Sequence, residues 1–206
     1  METINYPNYV FSKIGELFPD AKCELNYSNV FELTLATILS AQATDKSVNV
    51  VTKELFSKYP TPYLLSLAKE DEVISIIKSV GLSKTKAKNI IKLSQELTLK
   101  YNGKVPNTFD ELIALPGIGT KTANVILAEG FNLPGLAVDT HVLRVSNRLG
   151  LINTTDTVVA EKKLKTMYDP KDWGLVHLRL LFFGRYLCKA QNPLCDKCPF
   201  QDYCKR

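Results

Sequence analysis

Nowhere in this 206-residue sequence do apolar residues run for eighteen positions, so no segment is expected to cross a membrane as a helix. The first ten residues are polar and carry no apolar run. No secretory signal is therefore expected, and the chain should work in a reducing, cytoplasmic compartment with its thiols free. Apolar–polar alternation of the strand type is almost absent, which excludes a sheet-based fold. No internal repeat or low-complexity linker breaks the chain, and its length is enough to bury a real core in one or two domains. Acidic residues are scarce in two places. Between Val73 and Lys104, seven lysines (78, 84, 86, 88, 92, 100 and 104) face only Glu96, and Arg179–Arg206 holds six basic residues against Asp196 and Asp202. The net charge is only +5, but this uneven placement favours a nucleic-acid partner over merely solvated helix faces.

What is present is helical patterning, and the fold class expected is all-α. A first amphipathic segment runs from Tyr9 to Phe18. Asn29 is placed to cap a long apolar helix from Val30 to Ala43, and Asp45 to cap the next, with Val48, Val51 and Leu55 on one face. Pro60 and Pro62 precede a short segment, Tyr63 to Ala68. Asp71 opens a helix through Ile77, Gly81 ends it, and Thr85 to Tyr101 follows. Further helices are expected over Thr140–Leu149, Asp156–Tyr168 and Pro170–Cys188.

The most informative stretch is Leu115-Pro116-Gly117-Ile118-Gly119-Thr120-Lys121-Thr122-Ala123. Upstream, Thr108-Phe109-Asp110-Glu111 has capping-box spacing and opens a helix ending near Leu115. Its two glycines allow a hairpin whose backbone can approach a ligand closely. A helix starting at Thr120 would direct N–H groups and a positive dipole end at a phosphate. The result is helix, hairpin, helix over about residues 108–130. Lys121 would lie in the first turn, where the dipole and apolar neighbours such as Ile118 favour a neutral amine, the form able to attack as a nucleophile. Its alternative role is an ordinary ion pair with a DNA phosphate. Asp139 follows eighteen residues later. A helix from Thr120 to Gly130 rises about 16 Å, and residues 131–138 can return over that distance at about 3.3 Å each. Asp139 can thus come back towards Lys121. It also suits the N-cap of the helix from Thr140, one carboxylate oxygen capping while the other faces the site. His141 reads as a packed or capping residue.

Four of the five cysteines, Cys188, Cys195, Cys198 and Cys204, give C-x6-C-x2-C-x5-C within the last nineteen residues. So tight a group points to a metal centre. Zinc ribbons usually show two C-x2-C knuckles and this segment has one, which favours iron–sulfur ligation, although spacing leaves zinc open.

Together the hairpin, Lys121, Asp139 and the cysteine spacing resemble the endonuclease III family of base-excision repair. Leu39-Ser40-Ala41-Gln42-Ala43-Thr44-Asp45 and Gly184-Arg185-Tyr186 add to the resemblance, which runs from about Glu24 to Cys204. It implies a helix-hairpin-helix DNA glycosylase and abasic-site lyase acting on oxidised pyrimidines, with Lys121 as nucleophile and Asp139 as its helper. It further implies a [4Fe-4S] cluster on Cys188, Cys195, Cys198 and Cys204. The implied architecture is two helical lobes with a DNA-binding groove between them. Residues 23–133 form a bundle carrying the hairpin; residues 1–22 with 134–206 form a second domain carrying the cluster. By the same resemblance Gln42 and Leu82 fill the space left by an extruded base. Pro116, Gly117, Ile118 and Gly119 hold a backbone phosphate, with a monovalent cation on nearby carbonyls. Basic residues in the 84–92 run and between Cys188 and Cys195 hold further phosphates. The partner implied is duplex DNA with damaged bases or abasic sites, bound by a monomer at the nucleoid. Two departures stand out: the chain stops two residues after Cys204, so a tail seen in some relatives is expected to be missing, and Phe183 stands where better-known members carry histidine. Rival readings are an adenine glycosylase relative, a non-enzymatic helix-hairpin-helix module and a zinc-stapled helical adaptor.

Overall fold

The computed structural model describes residues 5–205, and among these there are helices and turns but no strand. In chain order the α-helices are α1 (Tyr6–Leu17), α2 (Val30–Leu39), α3 (Asp45–Lys58), α4 (Pro62–Ser66), α5 (Glu70–Ile77) and α6 (Ser83–Lys100). They continue with α7 (Phe109–Ile113), α8 (Thr120–Val125), α9 (Thr140–Arg148), α10 (Thr157–Lys165) and α11 (Trp173–Phe182). Two of them run on into π-helical turns, α8 into Ile126–Gly130 and α11 into Phe183–Leu187. Residue contacts divide the chain into two compact units, Glu24–Asn132 and Met1–Cys23 with Leu133–Arg206. Met1–Ile4 and Arg206, which belong to the expected terminal domain and basic run, lie outside the described residues.

The middle unit is built round α2. Its apolar residues occupy every face, from Phe31 and Leu33 to Ile38 and Leu39, and its buried threonines bond back to the helix, Thr34 Oγ1 to Val30 O and Thr37 Oγ1 to Leu33 O. Neither threonine hydroxyl is thereby left unpaired. Helices α3, α6 and α8 pack on it, together with the π-turn that follows α8, and α4 and α5 lie against α6. Asn29 Oδ1 accepts from Glu32 N at 3.0 Å, the cap expected there.

Several boundaries differ from the sequence reading. Helix α2 ends at Leu39, not Ala43, because the chain turns at Gln42 with φ +54°. Thr44, not Asp45, caps α3, its Oγ1 accepting from Ser47 N, which leaves Asp45 inside the first turn. Helix α5 starts one residue before Asp71, with no side-chain cap, and α6 starts directly after Leu82, which is left-handed at φ +61°. The terminal helix expected from Pro170 begins as a 3-10 turn, Pro170–Asp172, before α11 proper.

The terminal unit packs α1, α9, α10 and α11 round Val10, Ile14, Val145, Leu164, Leu180 and Phe183. Arg179 on α11 lies over the Phe11 ring at 4.0 Å and donates to Phe11 O at 3.1 Å, tying α1 to α11. Asp139 and Asp156 cap α9 and α10.

Removing the α2 cap should be felt, because it satisfies an otherwise orphan N–H at the start of the most buried helix. Asn29→Ala should lower stability by about 1 kcal/mol, read as a lower urea midpoint; an unchanged midpoint would show that the cap contributes nothing.

Candidate functional site

The hairpin forms from local chemistry. Thr108 Oγ1 accepts from Glu111 N at 3.4 Å and starts α7, which stops at Ile113. Leu115 and Ile118 turn inward and anchor the loop, at 3% and 7% exposure, while Gly117, Gly119 and Thr120 stay exposed. Ile118 can therefore offer a ligand only its main chain. Gly117 has φ +81°, and a Cβ there would come within 3.0 Å of Asn89 Cβ on α6. Gly119 is different: it has ordinary extended backbone as the N-cap of α8, and a Cβ there would meet nothing within 4 Å. No side chain caps α8, so its first N–H groups stay open to an anion. Lys121 sits in this first turn and is exposed. The amine is thus not enclosed by apolar side chains as expected, and Ile118 serves as an anchor instead.

In the terminal unit, Asp139 is half-buried and caps α9 through one oxygen. Oδ1 accepts from His141 N at 2.9 Å and from Val142 N at 2.8 Å, while Oδ2 takes part in neither bond. Burial pushes the His141 imidazole down, against the pull of the Asp139 carboxylate. Arg144 Nη2 lies 3.2 Å from His141 Nδ1 and donates to Gly184 O at 2.9 Å and Cys188 O at 3.2 Å. A guanidinium only donates, so Nδ1 accepts and the proton of a neutral ring sits on Nε2. His141 is packed, as its sequence position suggested.

Cys188, Cys195, Cys198 and Cys204 line one pocket, with Phe183 and Leu187 among its walls. Cys23 does not line it. Burial pushes the Cys198 thiol up, and the other three cysteines act in the same direction. Crowded thiolates of this kind need a shared positive charge, which a metal centre supplies. Arg148 Nη1 lies 3.5 Å from Cys188 Sγ and donates to Lys189 O at 2.8 Å, holding the first loop of the group. Phe183 is fully buried and meets Phe200 edge-on at 5.5 Å, so the position that departs from histidine is part of the apolar floor. The donor set, with Cys188 buried, Cys198 half-buried and Cys195 and Cys204 exposed, fits an iron–sulfur cluster held by four thiolates near the surface.

Residues 35–170 match the HhH-GPD superfamily of base excision DNA repair proteins, and residues 188–204 match the iron–sulfur binding domain of endonuclease III. Over 198 residues the chain is 50% identical to endonuclease III of Bacillus subtilis, covering 96% of this chain and 90% of that one. The chain belongs to the endonuclease III family. It is 48% identical over 199 residues to endonuclease III of Rickettsia conorii, covering 95% of each chain. A solved structure of a trapped endonuclease III–DNA covalent intermediate, an estranged-adenine complex, is similar with a TM-score of 0.95 and 48% identity, over 100% of this chain and 97% of that one. The family makes this chain a base-excision DNA glycosylase and abasic-site lyase with DNA as its partner. Its cofactor is a [4Fe-4S] cluster. Among the described residues, no helix is long and apolar enough to cross a membrane.

Lys84, Lys88 and Lys92 of the basic run are exposed on α6, and so is Lys189 between Cys188 and Cys195. Lys86 is not. It is 4% exposed and donates from Nζ to Leu39 O at 2.8 Å and Ala41 O at 2.7 Å. It therefore leaves the set of phosphate-binding candidates. The signal for this was in the pattern, since Lys86 shares the inward stripe of α6 with Ile90, Leu93 and Leu97.

The two hairpin glycines should separate under mutation. Gly117→Ala meets both a left-handed φ and Asn89, and should lower stability by about 1–2 kcal/mol. Gly119→Ala should melt like wild type, so that any loss of DNA affinity reports a ligand lying against that backbone. Thermal melts with salt titrations of duplex binding check this. Wild-type affinity for Gly119→Ala at every salt concentration would leave the hairpin as a turn only.

Proposed function

We propose that Lys121 is the nucleophile and Asp139 its carboxylate helper in removal of oxidised pyrimidines from duplex DNA. The observation that carries this is the uncapped start of α8 behind an exposed glycine hairpin, which offers main-chain donors to a phosphate beside an accessible amine. Anchored so, the strand exposes the sugar of an extruded nucleotide to Lys121. Free lysine has a pKa of about 10.4, so the reactive neutral amine is scarce at neutral pH. While ionised, the Asp139 carboxylate stabilises the cation developing on the sugar, and it then takes up the proton that the amine sheds once its nitrogen has bonded to C1′. The Lys121 nitrogen bonds to C1′ as the glycosidic bond breaks and the base leaves with its electron pair, to be protonated. Opening of the sugar gives a Schiff base, which acidifies C2′. Loss of a C2′ proton then expels the 3′ phosphate oxygen and nicks the strand.

Extrusion is cheaper for a damaged pair, which stacks and pairs less well. Leu82 suits the unstacked step and Gln42 the orphaned partner base. Both are exposed and left-handed. The hairpin from Pro116 to Gly119 holds a phosphate and a monovalent cation on its carbonyls, while Lys84, Lys88, Lys92 and Lys189 hold further phosphates. Cys188, Cys195, Cys198 and Cys204 hold the [4Fe-4S] cluster. When bound it cross-links the C-terminal loops, because four cysteine ligands leave no position for a substrate. The contact units, on this reading, act as the two domains, and the protein works as a monomer at the nucleoid.

Lys121→Gln should abolish base release and nicking with duplex affinity kept. Asp139→Asn retains an oxygen for the cap but cannot accept the proton, and should slow single-turnover base release by about 10²- to 10⁴-fold. Wild-type rates in either variant would remove that residue from the chemistry. For the cofactor, Cys23→Ala should retain the full iron content and visible absorbance, whereas Cys198→Ser should lose both. An iron-replete Cys198→Ser protein would contradict the ligand assignment.

A further inference from the structure

The Lys86 ammonium is buried, and among the described residues no carboxylate pairs with it. Burial pushes its pKa down, with no other cause acting. A buried, unpaired cation is costly, and an apolar side chain on this stripe of α6 would fill the core at less expense. What the ammonium does is specific. Its two acceptors, Leu39 O and Ala41 O, are carbonyls that the end of α2 leaves unsatisfied, at the negative end of that helix's dipole. Ala41 directly precedes Gln42. The backbone N–H of Lys86 also donates to Leu82 O at 3.0 Å, closing the first turn of α6. The two turns abut, since a Cβ on Gly81 would lie 3.8 Å from Gln42 O. One residue thus bonds both turns whose tips are left-handed, non-glycine and exposed. Such tips are strained and persist only when their surroundings hold them.

We propose that Lys86 is a positioning residue that locks the Gln42 and Leu82 turns into one wedge, so that both side chains enter the duplex together as a damaged nucleotide is extruded. This rests on the insertion roles given above to Gln42 and Leu82. Lys86 touches no reacting atom. Its loss slows extrusion and leaves the sugar chemistry of an already exposed site in place.

The test uses the cluster-loaded full chain and two substrates: a duplex containing oxidised thymine, and single-stranded DNA with a preformed abasic site, which needs no extrusion. Lys86→Met should slow single-turnover base release from the duplex by about tenfold or more, corresponding to about 1.4 kcal/mol of lost barrier lowering. Nicking of the single-stranded abasic site should stay within about threefold, on the same rate scale. In a Gln42→Ala/Leu82→Ala background the Lys86 effect should vanish. Equal loss on both substrates, tracking the folded fraction, would make Lys86 merely structural and overturn the proposal. So would an undiminished Lys86 effect in the double-alanine background, or wild-type base release by Lys86→Met. If Lys86→Met does not fold, Lys86→Gln, which keeps N–H donors on a shorter stem, carries the same comparison with the same outcomes. The Gln42→Ala/Leu82→Ala protein alone separates the two levels. If it releases the base as fast as wild type, the insertion reading itself fails.

Discussion

A helix end leaves carbonyls without partners, and in the middle unit those of α2 are met by one buried ammonium, Lys86. The surface of that unit follows from this interaction. With α2 ending at Leu39, the chain turns left-handed at Gln42; α6 starts directly after Leu82, and its first turn lies beside that bend. Further along the same face of α6, Asn89 backs the hairpin at Gly117. Lys86 and Asn89 are spaced i, i+3, so one side of α6 backs both the end of α2 and the hairpin. Rigid support of this kind suits a protein that must hold distorted DNA, since the cost of unstacking a base step has to be met by contacts already in place.

The terminal unit uses arginine for the same purpose. Helix α9 starts at the Asp139 cap and carries Arg144 and Arg148, whose guanidinium groups reach Gly184 O, Cys188 O and Lys189 O. Asp139 and Cys188 therefore share one helix as support. Gly184 lets α9 approach closely: a Cβ there would come within 2.9 Å of His141 Cβ. Phe183, next to it, is fully buried and lines the cysteine pocket.

Much of this was legible in the sequence because the signals are local. The caps at Asn29, Thr108 and Asp139 need only a side-chain oxygen and the N–H two or three residues on, and they occur where the pattern placed them. The hairpin turn at Gly117 belongs to the same class. What escaped depends on contacts distant in sequence. Composition made Lys86 one more member of a basic run; its place on the inward stripe of α6 marked it as internal, but the partner, Leu39 O across 47 residues, is a contact no local pattern contains. The early end of α2 has the same origin, since Gln42 is no helix breaker by propensity and turns left-handed under tertiary support. Phe183 read as a missing polar group, whereas packing against Phe200 makes it core.

The central claim is that an amine at position 121 forms a covalent bond to the sugar. Borohydride reduction during reaction with a duplex containing oxidised thymine, followed by proteolysis and mass mapping, reads that bond directly. The account predicts a stable protein–DNA adduct whose modified peptide carries the sugar remnant on Lys121. An adduct mapped to another lysine, or base release and nicking with no trapped adduct, would contradict it.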